Sequence, residues 1–198
     1  MAGIKRVSPP DRGRAERALA EFLDALGFDP KSPELAETPA RAVLAFTSEL
    51  LAGYDLDEAE LLREGSEPAA PDLDPIVVRG IRVAAVCPHH LLVAEGTADV
   101  GYHPGSTLIG LGTLTRLVSL MAARLVFQEQ IASDVVSALM THGGASGAYC
   151  RVELHHACLR VRGAQEHDAS VASFASAGSF RAPAFLDAIL GTKGAEVR

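Results

Sequence analysis

Residues 76–105 read IVVRGIRVAAVCPHHLLVAEGTADVGYHPG. Residues 76–86 are rich in β-branched side chains and read as a strand. Residues 91–105 read as a second strand that ends in the turn signal His103-Pro104-Gly105. The two pair antiparallel, and Cys87-Pro88-His89-His90 lies at their junction. A soluble chain has thus placed a thiol and two imidazoles where one strand hands over to the next.

On the C-terminal side, residues 113–142 carry a helical pattern that Thr113 can cap and Gly143-Gly144 can stop. GAYCRVELHHACLRVRG (147–163) reads as one long strand. A Ser/Ala-rich strand (169–180) and a short helix (about 183–190) complete the chain. On the N-terminal side, Leu19, Phe22, Leu23 and Leu26 fall at helical spacing within residues 11–26, and Gly27 stands where a C-terminal cap belongs. A second helix begins at Thr38-Pro39, with Thr38 as N-cap, and ends near Gly53. Its buried stripe is Val43, Phe46, Thr47, Leu50 and Leu51. Residues 64–75 (EGSEPAAPDLDP) read as a polar linker and residues 1–10 as disordered. The order is helices, hairpin, helix pair, hairpin. That is an α+β fold with an antiparallel sheet, organised as an N-terminal helical region (1–63) and a catalytic domain (75–198).

Composition narrows the function. The chain has 198 residues, 18 Lys and Arg against 25 Asp and Glu, and a formal net charge of −7. No basic run suggests a nucleic-acid surface, and an anionic substrate needs a local cationic pocket to overcome the overall repulsion. No apolar run approaches the ~20 residues of a membrane span. The first residues lack the apolar core of a signal peptide. Three cysteines without such a signal fit a reducing, cytoplasmic compartment and argue against a disulfide framework.

Four of the seven histidines, His89, His90, His155 and His156, lie within three residues of Cys87 or Cys158. In an extended strand Cys87 and His90 would face opposite sides, but Pro88 favours a turn that can bring them together. If the strand 148–162 is regular, Cys150, Leu154, His156, Cys158, Arg160 and Arg162 share one face. Cys158 is then the third ligand to a zinc ion held by Cys87 and His90. A Cys2His set with an open fourth position suits a metal that activates water. His89 and His156 remain free to move protons. Cys150 sits among apolar neighbours and reads as core. His155 faces away from His156, and His103, His142 and His167 read as solvated turn residues. Taken alone, Gln128-Glu129 reads as a solvated helix start.

Several blocks resemble the GTP cyclohydrolase I family: LAETPARAVLAFTSELLAGY (35–54), CPHHLL (87–92), GLGTLTRLV (110–118), FQEQI (127–131), HHACLRVRG (155–163) and the segment ending AGSF (177–180). The resemblance implies a tunnelling fold assembled as a homodecamer of two five-membered rings, with active sites between subunits. It implies hydrolysis of GTP to formate and 7,8-dihydroneopterin triphosphate. By match, Cys87, His90 and Cys158 are the zinc ligands, and His89 and His156 the proton-transfer pair. Gln128 and Glu129 match the guanine-recognition pair, and Arg116 and Arg162 the phosphate-contacting arginines.

Three positions depart from the family's usual pattern. Pro88 stands where glutamate is usual, Gly112-Thr113 where Ser-Lys is usual, and Gln130 where arginine is usual. The losses touch the phosphate grip. Arg160, on the predicted face of Arg162, is one candidate to compensate; a substrate with fewer phosphates is the other explanation. A cyclohydrolase acting on a different purine nucleotide and a non-catalytic purine or pterin binder are the alternative readings.

Overall fold

The computed structural model describes residues 4–181. The predicted helix at 183–190 lies outside them. Helix α1 (Arg12–Ala25) starts where Asp11 accepts a hydrogen bond from Arg14 N–H, an N-cap. It ends in a Schellman motif, with Gly27 at φ 89° and the N–H of Phe28 bonded to Leu23 O. Helix α2 (Thr38–Ala45) takes Pro39 in its first turn, but its cap is Glu37 and Thr38 makes no capping bond. The chain then widens into a π-helical turn (Phe46–Leu50) and tightens into a 3-10 turn (Ala52–Asp55).

Two N-terminal expectations are corrected, and one helix is added to them. Residues 4–10 form no regular element, yet they are docked. Arg6 pairs with Asp55, donates to Leu51 O at 3.1 Å and lies over the Tyr54 ring, while Tyr54 Oη donates to Ile4 O. A short helix, α3 (Glu58–Glu64), follows Asp57, whose carboxylate caps Ala59 and Glu60. Those two backbone bonds, Glu60's first, hold the Asp57 pKa below the usual carboxylate value. The segment read as a linker contains β1 (Ser66–Pro68), which pairs antiparallel with β4 (Thr107–Ile109).

The main sheet is antiparallel in the order β2-β3-β5-β6, with β2 Ile76–Val86, β3 Val93–Pro104, β5 Ala145–His156 and β6 Val171–Gly178. Residues of one parity turn inward: Ile81, Val83 and Ala85 from β2, Ala98, Val100 and Tyr102 from β3, and Ala148, Cys150, Val152 and Leu154 from β5. Two helices cover that face. Helix α4 (Leu111–Ala122) contributes Leu114, Leu117, Val118 and Met121; helix α5 (Gln128–Thr141) contributes Ile131, Val135 and Leu139. Gly110, not Thr113, caps α4. Between the helices, Val126 N–H donates to Val86 O and Leu125 bridges Val86. The helix pair is thereby fastened to the end of β2.

Leu62 of α3 is fully buried in this same core, where α3 packs against α4 and α5. Gly53 sits where a Cβ would lie 2.1 Å from Leu120 O and 2.7 Å from Ala123 O, so only glycine lets the N-terminal region approach α4 this closely. No helix among the described residues is long and apolar enough to cross a membrane. Leu62→Ala is expected to lower the unfolding free energy by about 2–5 kcal/mol. The shift is read from the denaturant midpoint at unchanged slope. A change below ~1 kcal/mol would detach α3 from the core of the sheet.

Candidate active site

Strand β5 has ladder partners on both sides as far as Leu154, which pairs with Gly96 of β3 and Val171 of β6. His155 and His156 pair only with β3, at Glu95 and Ala94, and beyond His156 no strand continues. Backbone donors without partners must find them locally. The chain turns into a short helix, α6 (Ala157–Arg160), where Val161 N–H donates to Ala157 O. The long strand expected over 147–163 therefore stops at His156. The alternation argument holds through His156 and fails at Cys158, Arg160 and Arg162.

At the same end of the sheet, β2 turns back through CPHHLL. Cys87 N–H bonds Leu92 O at 3.0 Å, and Leu91 N–H bonds Cys87 O at 2.9 Å. The second bond closes one turn that carries Pro88, His89 and His90. Leu91 adopts φ 56°, the left-handed region that leucine rarely enters. Together with the start of α5, these segments enclose a cavity of about 290 Å3. Cys87, His89, Gln128, Glu129, His156 and Cys158 all line it. Its remaining wall is apolar, and Phe127 packs beside His89 with ring centroids 5.0 Å apart. Phe127 has no role in the sequence reading; its one signal there is its place directly before Gln128-Glu129.

The six residues sit in different environments. Cys87 and Cys158 are free thiols and half-buried. His89 and Glu129 are exposed. Glu129 lies in the first turn of α5, where the helix dipole favours a negative charge. Gln128 is buried at 4% exposure. Its amide nitrogen donates to Val152 O (3.0 Å) and Val171 O (2.7 Å), and its amide oxygen lies 2.7 Å from His156 Nε2. Burial lowers the His156 pKa, and the Glu129 carboxylate works against that by raising it.

The other predicted residues lie elsewhere. His90 is exposed on the turn and does not line the cavity. Arg162 is exposed beyond α6. Arg116 lies on the outer side of α4 with Thr113, in a separate cavity that also holds Asp57, Glu60 and Glu64. Arg160 does not line this cavity. Its guanidinium donates to His167 O at 2.6 Å and lines another depression with His155 and Glu95, because α6 has rotated it off the expected face. Gln130 is held by Asp134 one helical turn on, at 2.6 Å. His103 is not a solvated turn residue: it belongs to β3 and contacts Ser179 Oγ at 3.2 Å. Cys150 is core, as read, and burial pushes its thiol up to about 12.

Among the described residues no group of three His, Cys, Asp or Glu side chains is gathered closely enough to hold a metal ion. The donor chemistry and the backbone do suit one. Two half-buried free thiols face one cavity, and His90 lies three residues beyond Cys87 in the same hydrogen-bonded turn.

An antiparallel sheet backed by a helix pair, with thiols, imidazoles and a carboxylate gathered at one sheet end, is the arrangement of an α+β enzyme. The particular kinship follows from comparison. Residues 15–189 match the profile of GTP cyclohydrolase I, and the chain belongs to that family. It is 36% identical over 178 residues to the GTP cyclohydrolase 1 of Ralstonia nicotianae, covering 90% of this chain and 84% of that protein. It is 35% identical over 174 residues to that of Leifsonia xyli subsp. xyli, covering 88% and 91%. The corresponding protein of Chromobacterium violaceum is 36% identical over 181 residues, covering 91% and 87%.

The differing burial of the three thiols gives a direct test. At pH 8 a small alkylating reagent is expected to modify Cys87 and Cys158 of the folded, metal-free protein and to reach Cys150 only after denaturation, as read by peptide mass spectrometry. Modification of Cys150 in the folded state would contradict its placement.

Proposed function

We propose that this cavity is the active site of a zinc-dependent GTP cyclohydrolase I, which converts GTP and water to formate and 7,8-dihydroneopterin triphosphate. The observation that carries the reading is the arrival of Cys87, Cys158, His89, His156 and Glu129 on one cavity in a chain of this family. Cys87, His90 and Cys158 would hold the zinc. When bound, zinc supplies a Lewis acid that makes water nucleophilic at neutral pH.

The chain's own groups account for the rest. C8 of guanine is a poor electrophile, and protonation at N7 by an imidazole raises its reactivity as water adds. His89 and His156 flank the cavity for that transfer and for the proton movements of formamide hydrolysis. The Glu129 carboxylate can accept from guanine N1–H and the 2-amino group together, a pair that adenine does not offer. The cavity volume is near the low end of the ~300–1,000 Å3 of small-molecule sites, which suits the base while ribose and phosphates extend outward.

The phosphates then need cations at the rim. Arg162 is exposed beyond α6, and Arg116 faces a different side of its own chain. An active site between subunits lets one copy's Arg116 serve another's cavity. Two features support such an assembly, read as a homodecamer. Among the described residues β6, and β2 apart from Val86, have no strand partner on their outer edges. Helix α1 buries no residue, with Phe22 and Leu26 exposed.

Zinc-loaded protein incubated with GTP is expected to release formate and, after oxidation, fluorescent neopterin. Cys158→Ser should lose both bound zinc and activity while keeping its circular dichroism. Retained zinc and turnover would remove Cys158 from the site. Glu129→Gln should lower kcat/KM for GTP by about 10–150-fold, the loss of a charged hydrogen-bond partner worth ~1.5–3 kcal/mol. With Thr113 and Gln130 in place of cations, the preference for GTP over GDP and GMP should be weaker than in a relative with lysine and arginine there. Equal discrimination by the two enzymes would refute that assignment.

A further inference from the structure

The resemblance assigns Gln128 to base recognition, but its hydrogen bonds point to other work. Its amide nitrogen faces two backbone carbonyl oxygens, Val152 O at 3.0 Å and Val171 O at 2.7 Å. Carbonyl oxygens only accept, so this atom is the NH2 group, and both its protons are used. Turning the amide over would press an oxygen against two oxygens. The atom 2.7 Å from His156 Nε2 is therefore the amide oxygen. An amide oxygen also only accepts, so His156 Nε2 must carry the proton.

We propose that Gln128 is a positioning residue that holds His156 as its Nε2–H tautomer and leaves Nδ1 as that ring's one proton-accepting nitrogen. The proposal rests on the reading of His156 as a proton-transfer group. On this assignment the Gln128 amide has no proton left to donate to the base, and Glu129 is the member of the pair that is free to meet it. The anchoring is long-range. Gln128 is the first residue of α5, Val152 belongs to β5, and Val171 opens β6 where the β5–β6 ladder ends. One buried amide thus ties the ring's orientation to three elements, and no simple replacement reproduces it. Glutamate keeps an acceptor but turns an oxygen toward two carbonyls. Methionine keeps the volume and loses every bond.

The test uses the zinc-loaded full-length protein with 15N-labelled histidine, studied by magic-angle-spinning NMR. His156 is assigned by its loss in His156→Gln. The wild type is expected to show a protonated Nε2 and an unprotonated Nδ1, with well-separated shifts. In Gln128→Met the separation should collapse toward a tautomer mixture. Its kcat for GTP should fall on the order of 10²-fold, within the range of general acid–base catalysis, with KM changed less than about twofold. A wild-type ring protonated at Nδ1 would overturn the proposal. So would a Gln128→Met enzyme with raised KM and an unaltered His156 spectrum, the pattern of a direct base contact. If Gln128→Met does not fold, the wild-type spectrum still decides the tautomer. A fixed Nε2–H tautomer in a protein that does not turn over GTP would refute the functional reading and leave the tautomer assignment standing.

Discussion

Strand β5 runs out of partners at His156, and the site follows from that limit. From Gly147 to Leu154 strand β5 is paired on both sides, by β3 and β6, so it is rigid there and its side chains alternate predictably. One step further there is no ladder to join, and Ala157–Arg160 satisfies itself by coiling. The coil swings Cys158 toward the cavity that His156 already lines, and swings Arg160 away from it. β2 ends beside it, and the link from Val126 to Val86 brings the start of α5 to the same corner. A rigid sheet thereby presents its reactive groups on the segments where regular pairing fails, a common division of labour between scaffold and loop.

The electrostatics divide along the same line. A chain of net charge −7 is a poor general receptor for a triphosphate. Its cavity is nevertheless suited to a neutral base: apolar walls, imidazoles, and a carboxylate held at a helix N-terminus. Cations lie outside it. Arg116 lines a separate cavity with Asp57, Glu60 and Glu64. On the proposed reading, one copy supplies the groups that meet the base, whereas a phosphate grip calls for charge brought from elsewhere. This separation makes an active site shared between copies physically reasonable, and it makes phosphate affinity the property most open to change by surface substitutions.

Much of the fold was legible because the relevant information is local. The β-branched run 76–86 is β2 to the residue, and the Leu and Phe spacing of residues 11–26 with Gly27 beyond it is α1 with its Schellman end. Helix α3 and strand β1 were not legible. They are short and polar, and each exists through distant contacts: Leu62 in the sheet's core, and Ser66–Pro68 against β4. The cavity residues were recognisable as residue types, but two of their details were not. Alternation could not show that the ladder ends at His156, since that depends on the lengths of β3 and β6. Nor could it show what Gln128 bonds, because its carbonyl partners lie 24 and 43 residues away.

The departure at Pro88 illustrates how such a site can change without collapsing. Where the family usually has a glutamate beside the imidazoles, this chain has a residue that cannot support one electrostatically. What proline supplies is stiffness. The CPHHLL turn forces Leu91 to φ 56°, and a left-handed conformation costs a branched residue roughly 1–2 kcal/mol. A proline compatible with its backbone stabilises the folded form by about 0.4–1 kcal/mol, chiefly by restricting the unfolded chain. The two terms have opposite sign, and the proline term is the smaller. Pro88 can therefore offset part of the strain in the turn that carries Cys87 and His90. It fixes through covalent geometry part of what a hydrogen-bonded carboxylate would otherwise fix.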